Sequence, residues 1–385
     1  MKTACEKRTL EFQRRMAAAG VDIAIIQDTD SVFYLSAFRD YLGMSFGRPT
    51  LMAAPATGAC AIITPGLEAE MARKMTWIHD ILEWSDGVDG EWRKCLLDVL
   101  KPGKRKKIGL EINKTHPLVS AFVREEFRDA EIVEISGILS DMRMIKTPDE
   151  IRLMRQAGQV STAMCRGGKE AIAEGVPEYE IALAVIAAGS RKAAALLEQD
   201  EPGGLFSPMI HHLQPLQSGG PDLSMAHRRP TLRRLCRGES VYMCFCEMNN
   251  FKGVKLGFDR QYWVGETSDE EARLYEIAIK AQTAALGMIR PGVRAEDVHH
   301  AAARVYQEEG FGFCYRTGRS VGFSLIEKPE LKSGDKTVLK PGMTFAVDGA
   351  VSVPGKAAAR VGDSVVVTDK GFDFLTPFPK HLQAV

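Results

Sequence analysis

Residues 238–265 read GESVYMCFCEMNNFKGVKLGFDRQYWVG, and this stretch decides the fold of the second half of the chain. It holds two apolar runs, Val241–Phe245 and Val254–Phe258, which are separated by polar residues and glycine. Short apolar runs bounded in this way are typical of paired strands. The stretch therefore predicts a β-hairpin whose second strand ends at Asp259, so that the hairpin delivers a carboxylate at its far end.

An isolated histidine precedes this hairpin. His227 stands eleven residues before Gly238 and follows residues 200–224, which are rich in Gly, Pro, His and Gln. An irregular segment of that length inside a compact domain is commonly functional. We expect a site that includes His227 and Asp259. The ordinary structural alternatives are a surface histidine and a salt bridge between Asp259 and Arg260.

The composition excludes several classes of protein. The chain has 385 residues, which favours two domains, and its 50 basic and 50 acidic residues give a formal charge of zero. A nucleic-acid or anionic-membrane partner would favour a basic surplus. The eight cysteines include no CxxC pair, which is typical of reduced thiols in the cytosol. Because no apolar run could span a bilayer and no signal core is present, we expect a cytoplasmic protein.

The fold class follows from the order of the predicted elements. Strand and helix patterns alternate to about residue 140, which indicates an α/β domain. Thr147, Pro148 and Glu150 then occupy the N-cap, first and third positions of a long helix. Beyond them the patterns indicate helix, helix, hairpin, helix, helix and hairpin. We predict an α/β (α+β) protein with domains at residues 1–144 and 145–385.

Four motifs occur in an order that resembles a known family. They are KTPDE at 146–150, GESV at 238–241, RPGV at 290–293 and LKPGMTF at 339–345. Their order is similar to that of the pita-bread superfamily, which includes creatinase, aminopeptidase P, prolidase and methionine aminopeptidase. The resemblance implies an N-terminal creatinase-like domain followed by a C-terminal pita-bread domain.

The resemblance also locates the metal ligands of the family's peptidases, which hold two ions with two Asp, one His and two Glu. The matching positions here are Cys244, Gly257, Arg319, Asp348 and Gly362. A dinuclear centre needs several hard oxygen ligands. One carboxylate and an arginine cannot supply them. We therefore expect no metal, no other cofactor and no metallopeptidase activity.

Among the relatives, creatinase resembles this chain most in its site residues. That resemblance implies that His227 acts as general base and then acid, while Asp259 and Asp348 hold a cationic group. An alternative for Asp348 is that it caps a turn. Phe46 and Arg48 resemble the segment that clamps the substrate carboxylate from the neighbouring subunit. The resemblance thus implies a homodimer in which the N-terminal domain of one subunit contributes to the other's site, with a small zwitterionic substrate. Arg319 either binds that substrate or pairs with Asp348.

The predicted function is metal-independent hydrolysis of a C–N bond in a carboxylate-bearing guanidine or amidine such as creatine, and not peptide cleavage. Residues 318–324, GRSVGFS, are also similar to ectoine hydrolases, and Glu247 would then be a nucleophile or ligand. Two further alternatives are a non-catalytic protein that binds a small metabolite and a lyase or hydrolase for another zwitterionic osmolyte.

Overall fold

A computed structural model of the protein describes residues 1–42, 47–101, 106–200, 203–210, 215–219, 221–225, 227–246, 251–312 and 315–385. The chain divides into two compact units, Met1–Met142 and Arg143–Val385. Among the described residues no helix combines the length and apolar character needed to cross a membrane.

The first unit is built around a six-stranded mixed sheet in the order β4-β3-β2-β1-β5-β6. Its strands are β1 Ile23–Ile26, β2 Leu51–Pro55, β3 Ala61–Pro65, β4 Asp80–Trp84, β5 Lys107–Leu110 and β6 Glu131–Glu134. Its helices are α1 Lys2–Ala18, α2 Thr29–Ser36, α3 Gly66–Met75, α4 Glu91–Leu100 and α5 Pro117–Glu126, and α6 Ser136–Met144 runs across the boundary. Strand β1 is buried along its whole length, since it pairs with β2 on one side and β5 on the other.

The second unit is built around an eight-stranded sheet. Its main path runs β11-β10-β12-β13-β9-β8-β7, with β14 paired to β13, and the neighbours are antiparallel. The strands are β7 Leu216–Ser218, β8 Ser240–Cys244, β9 Asp259–Trp263, β10 Arg316–Ser320, β11 Glu327–Lys332, β12 Thr344–Val353, β13 Ala357–Val367 and β14 Phe372–Phe374. The helices are α7 Pro148–Ala171, α8 Glu178–Asp200, α9 Asp269–Met288 and α10 Ala295–Glu308, with a short 3-10 helix at Pro221–Ser224.

The start of α7 is as the sequence predicts. The Thr147 side chain accepts from the Glu150 backbone N–H, and the Glu150 carboxylate accepts from the Thr147 N–H at 2.8 Å. Pro148 fills the first helical position, where the missing N–H costs nothing. This capping box fixes where the second unit's first complete helix begins.

The predicted hairpin is correct in its first strand and wrong in its second. β9 starts at Asp259, whereas the apolar run Val254–Phe258 was expected to be the strand. The apolar run is buried but lies outside the strands of the sheet, while the polar residues Arg260 and Gln261 are buried inside β9. Gln261 donates to the Ala358 carbonyl at 3.1 Å, and Arg260 is paired as described below. The position of this strand is therefore set by buried polar side chains whose hydrogen bonds are made, and not by the pattern of apolar residues in the sequence.

Arg260 ties β9 to β13 and to the C-terminal segment. Its Nη2 donates to Asp363 Oδ1 at 2.7 Å, and both side chains are almost fully buried. Its other N–H groups donate to the carbonyls of Asp259, Gly362, Phe378 and Pro379. All five donors of the guanidinium are thus used.

We predict that Arg260→Met destabilises the second unit strongly. Breaking a buried ion pair leaves an uncompensated charge, which costs about 3–5 kcal/mol. Arg155→Met is the matched control, because the Arg155–Asp373 pair has a similar distance, 2.8 Å, but is about half exposed. An exposed pair contributes about 0–1 kcal/mol. Urea unfolding of both variants measures the difference, and equal losses of stability would contradict the assignment.

Candidate functional site

Four strands bring the candidate residues into one row across the sheet. Cys244 of β8 pairs with Asp259 of β9, Asp259 pairs with Gly362 of β13, and Gly362 pairs with Asp348 of β12. Gly362 has no side chain, so the two carboxylates approach each other over it. A Cβ atom built there would lie 2.8 Å from Asp348 Oδ1 and 2.9 Å from Asp259 Oδ2. The glycine is required for the two acids to share this space.

Arg319 reaches the same row from β10. Its Nη1 donates to Asp348 Oδ2 at 3.1 Å, its Nη2 contacts Cys246 Sγ at 3.5 Å, and its Nε donates to the Leu325 carbonyl at 3.3 Å. The side chain is buried. Of the two roles left open for Arg319, the contact with Asp348 is present in the structure, and binding of substrate stays a prediction.

Asp348 holds a proton more tightly than an ordinary aspartic acid. Burial raises its pKa to about 6, Arg319 opposes the shift, and the nearby charge of Asp259 adds to it. Its Oδ1 is buried and has no hydrogen-bond partner within the described part of the chain. A carboxyl with a pKa near neutrality is suited to transfer a proton.

Two thiols complete the site. Cys244 is buried and Cys246 is half-buried, and the Cys246 Sγ donates to Asp259 Oδ1 at 3.6 Å. The hydrogen bond with Cys246, followed by burial, raises the pKa of Cys244 well above its usual range. Leu223 and Tyr242 pack beside Cys244, which shields it from water.

Other predicted site residues lie elsewhere or outside the description. His227 is in an exposed turn, and within the described part of the chain it forms no hydrogen bond or ion pair with Asp259 or Asp348. The following residue, Arg228, is anchored by the buried Glu178 at 2.7 Å, which fixes the turn from behind. The roles given to His227, Asp259 and Asp348 stay predictions.

Three further residues were predicted to bind substrate, namely Phe46, Arg48 and Glu247. Arg48 lies in the first unit, where it forms an ion pair with Asp86. Phe46 and Glu247 lie outside the described residues. Their predicted roles are therefore not tested by the geometry.

Sequence reasoning missed Cys246 as a site residue. The signal was present, because Cys244 and Cys246 stand two positions apart, a spacing that directs side chains to one side of an extended segment. The contact of Cys246 with Arg319 depends on β10, which is far away in the sequence, and no local pattern indicates it.

Two family models match the chain. Creatinase/Prolidase N-terminal domain matches residues 8–145, and Metallopeptidase family M24 matches residues 152–369, more than half of the chain. The chain belongs to metallopeptidase family M24. The predicted superfamily and fold class, an α/β N-terminal domain followed by a pita-bread domain, are therefore confirmed.

Individual relatives of this M24 chain carry different names. An agropine synthesis cyclase of Rhizobium rhizogenes is 29% identical over 382 residues, covering 95% of this chain and 94% of the relative. An Xaa-Pro dipeptidase of Lactobacillus helveticus is 26% identical over 330 residues, covering 84% and 85%. The recombinant prolidase structure from Thermococcus sibiricus has a TM-score of 0.85 at 24% identity, with 99% of each chain covered.

These findings correct the predicted function. A creatinase-type, metal-independent hydrolase that is not a peptidase is wrong, since the family is a metallopeptidase family and several relatives are dipeptidases. A special closeness to creatinase is not shown, and these relatives support none of the alternatives set beside it. The physical reason is that the capping box at Thr147 and the turn motifs encode the fold. They cannot distinguish one member's chemistry from another's.

The residues present do not fit the two-ion centre of the family's peptidases. Gly257 and Gly362 offer no ligand atom, and Arg319 places a cation where an imidazole would bind a metal. A Cβ atom at Gly257 would lie 2.5 Å from Ala346 Cβ and 3.4 Å from Arg319 Nη2, so a larger ligand side chain has no room. The two acids fill the corresponding space at Gly362. A pair of divalent cations with the family's five ligands is therefore not supported by this geometry.

The raised pKa of Asp348 predicts a pH dependence of stability. The folded pKa, about 6, lies above the unfolded value near 4, so the proton stabilises the folded state below about pH 4. This contribution is lost as pH rises through 6. Asp348→Asn cannot titrate, so the melting temperature of the wild type relative to this variant should fall between pH 4 and 7. Calorimetry over that range measures it, and a constant difference would contradict the shift.

Proposed function

We propose that this chain is an enzyme that closes a ring within a small molecule by acyl transfer, joining a carboxyl carbon to a hydroxyl or amine of the same molecule. The observation that carries the proposal is the Arg319 guanidinium held against Asp348, a carboxyl with a pKa of about 6. The similarity to an agropine synthesis cyclase over almost the full length of both chains supports ring closure as the reaction.

The two side chains have complementary tasks in such a reaction. The internal nucleophile attacks the carboxyl carbon, and the oxyanion that forms is stabilised by the Arg319 guanidinium. Neutral Asp348 gives its proton to the departing hydroxyl, which leaves as water, and the Asp348 carboxylate takes the proton released by the nucleophile. One C–O or C–N bond forms, one C–O bond breaks, and Asp348 returns to its starting state.

Exposure agrees with this division of roles. Asp348 is only partly buried: its Oδ1 is shielded from water, but the side chain as a whole is 31% exposed, so a substrate can reach it, whereas Arg319 is 9% exposed and held by its contacts. A guanidinium that is already ordered loses little freedom when the oxyanion forms. Its burial also removes competing water, which strengthens its interaction with negative charge.

A second candidate is cleavage of a dipeptide. The metallopeptidase family and the relatives named Xaa-Pro dipeptidase favour it. Hydrolysis of an amide passes through the same kind of oxyanion, with water as nucleophile and an amine as leaving group. Arg319 and Asp348 would then serve the same tasks, so the choice between the candidates depends on the substrate.

One substrate panel separates the two candidates. Because catalysts act in both directions, the proposed cyclase should open agropine, and mass spectrometry should show a gain of one water. Arg319→Gln should lower the rate by about 10²–10³-fold through loss of oxyanion stabilisation. Asp348→Asn should lower it by about 10²–10⁴-fold, and the wild-type rate should fall as pH rises above about 6.

The panel also contains Xaa-Pro dipeptides and a control variant. Release of free amino acids from the dipeptides, with agropine unchanged, would refute ring closure and favour the second candidate. Arg152→Gln is the control, because its ion pair with Asp149 is exposed and the rates should be unchanged. His227→Ala belongs in the same panel, and loss of turnover there would support the general base predicted from sequence.

We also infer a homodimer with composite sites, in which Arg48 of one subunit binds the carboxylate of a small substrate in the partner's site. The resemblance of residues 46–48 to the carboxylate-clamping segment of the superfamily supports it. Mixing Arg48→Ala and Asp348→Asn subunits tests the arrangement. Each variant alone should be poorly active, but a mixed dimer contains one intact site and should recover turnover. Absence of recovery in verified mixed dimers would refute the composite site.

A further inference from the structure

Cys244, Cys246 and Asp259 form a group of potential metal ligands that differs from the family's ligand set. Their ligand atoms all lie within 4.8 Å of one another, and Cys246 Sγ lies 3.6 Å from Asp259 Oδ1. Tetrahedral zinc with Zn–S near 2.3 Å and Zn–O near 2.0 Å would place its sulfurs about 3.7 Å apart and each sulfur about 3.5 Å from the oxygen. The observed spacing thus needs only small side-chain movements to close around one ion.

The backbone holds two of these ligands in a fixed relation. Cys244 and Asp259 are paired residues of the adjacent strands β8 and β9. Gly257, just before Asp259, is fixed by Ser364, whose Oγ accepts from the Gly257 N–H at 3.0 Å and donates to its carbonyl at 2.8 Å. A ligand pair on a rigid sheet is positioned before any metal binds, which reduces the cost of ordering the site.

The third ligand, Cys246, lies beside Gly257. A Cβ atom at Gly257 would be at ordinary van der Waals distance from Cys246 Sγ, 3.7 Å, but only 2.5 Å from Ala346 Cβ. Position 257 therefore has no room for a metal-binding side chain of its own, and the Cys246 thiol lies next to it.

Charge also balances around a single zinc ion. Two thiolates and one carboxylate around a dication leave one net negative charge, and the Arg319 guanidinium contacts Cys246 Sγ at 3.5 Å. The guanidinium, which also pairs with Asp348, offsets part of that negative charge and donates a hydrogen bond to a ligand sulfur, as groups behind metal ligands commonly do. An arginine that would repel a pair of hard cations is thus compatible with one thiolate-bound ion.

We propose that Cys244, Cys246 and Asp259 bind one zinc ion, with a fourth position open to water or to an oxygen of a small substrate. Thiolate ligands favour zinc over manganese or magnesium, which prefer oxygen ligands. Three protein ligands with an open position are typical of catalytic zinc. The site does not depend on the ring-closing reaction, and its test measures metal binding without any substrate.

The experiment uses full-length protein that has been stripped with a chelator and kept reduced. We expect one zinc per chain by competition with a chromophoric chelator. Cobalt should give a thiolate-to-metal charge-transfer band together with the visible bands of a tetrahedral site. Cys246→Ser and Asp259→Asn should each weaken zinc binding by more than the roughly 10–100-fold that loss of a supporting residue causes.

Cys236→Ser is the matched control, because Cys236 is an exposed cysteine outside the site. Its zinc affinity and cobalt spectrum should equal those of the wild type. Zinc should raise the melting temperature of the wild type and of this control, and should raise that of Cys246→Ser by less. A cooperative melting transition of Cys246→Ser without zinc would show that this variant folds and has lost only zinc binding. The proposal is overturned by a cobalt spectrum without the thiolate band, by zinc affinity unchanged in Cys246→Ser, or by absence of zinc binding.

Discussion

The buried Arg260–Asp363 pair is the constraint on which the site depends. Arg260 belongs to β9 and Asp363 to β13, and the guanidinium also binds the carbonyls of Asp259 and Gly362. It therefore fixes the backbone at Asp259 and at Gly362, the residue that separates the two acids in the row. A buried ion pair contributes little net stability when compared with apolar residues, but it strongly penalises any arrangement that separates its partners. Register between β9 and β13 is thereby specified.

That register has a chemical consequence. With β12, β13, β9 and β8 adjacent, Asp348, Gly362, Asp259 and Cys244 must form one row. The absence of a side chain at Gly362 leaves space that both carboxylates occupy, and burial raises the pKa of Asp348. A shift of one residue in the register between β9 and β13 would turn the paired side chains to opposite faces of the sheet, and the site would not form. Fold specificity and the proton affinity of Asp348 thus have a common origin.

The sequence predicted the parts of the fold that local chemistry determines. Thr147, Pro148 and Glu150 specify the start of α7 because capping involves only neighbouring residues. The second hairpin strand was misplaced because Arg260 and Gln261 are buried among partners such as Asp363 and Ala358, about a hundred residues away in the sequence. A polar residue that is fully hydrogen-bonded can occupy a core position, and no local pattern reports this.

The candidate site was predictable only in part, for the same reason. Asp259, Asp348 and Arg319 were identified from the sequence and do lie together. Their contacts with one another depend on the order of the strands in the sheet. Within the described residues, the exposed His227 forms no hydrogen bond or ion pair with Asp259 or Asp348. The function was wrong because it was inferred from which family ligands are lost. The loss of a metal ligand argues only against the family's metal centre. What the site can bind depends on the atoms that stand in place of that ligand.

Those replacements form a consistent electrostatic set. In the family's centre, four carboxylates face two divalent cations, so the charges cancel. In the site proposed here, two thiolates and Asp259 face one zinc ion and the Arg319 guanidinium, and the charges cancel again when Asp348 is neutral. The Arg319 guanidinium thus supplies the positive charge that a second metal ion supplies in the family's centre.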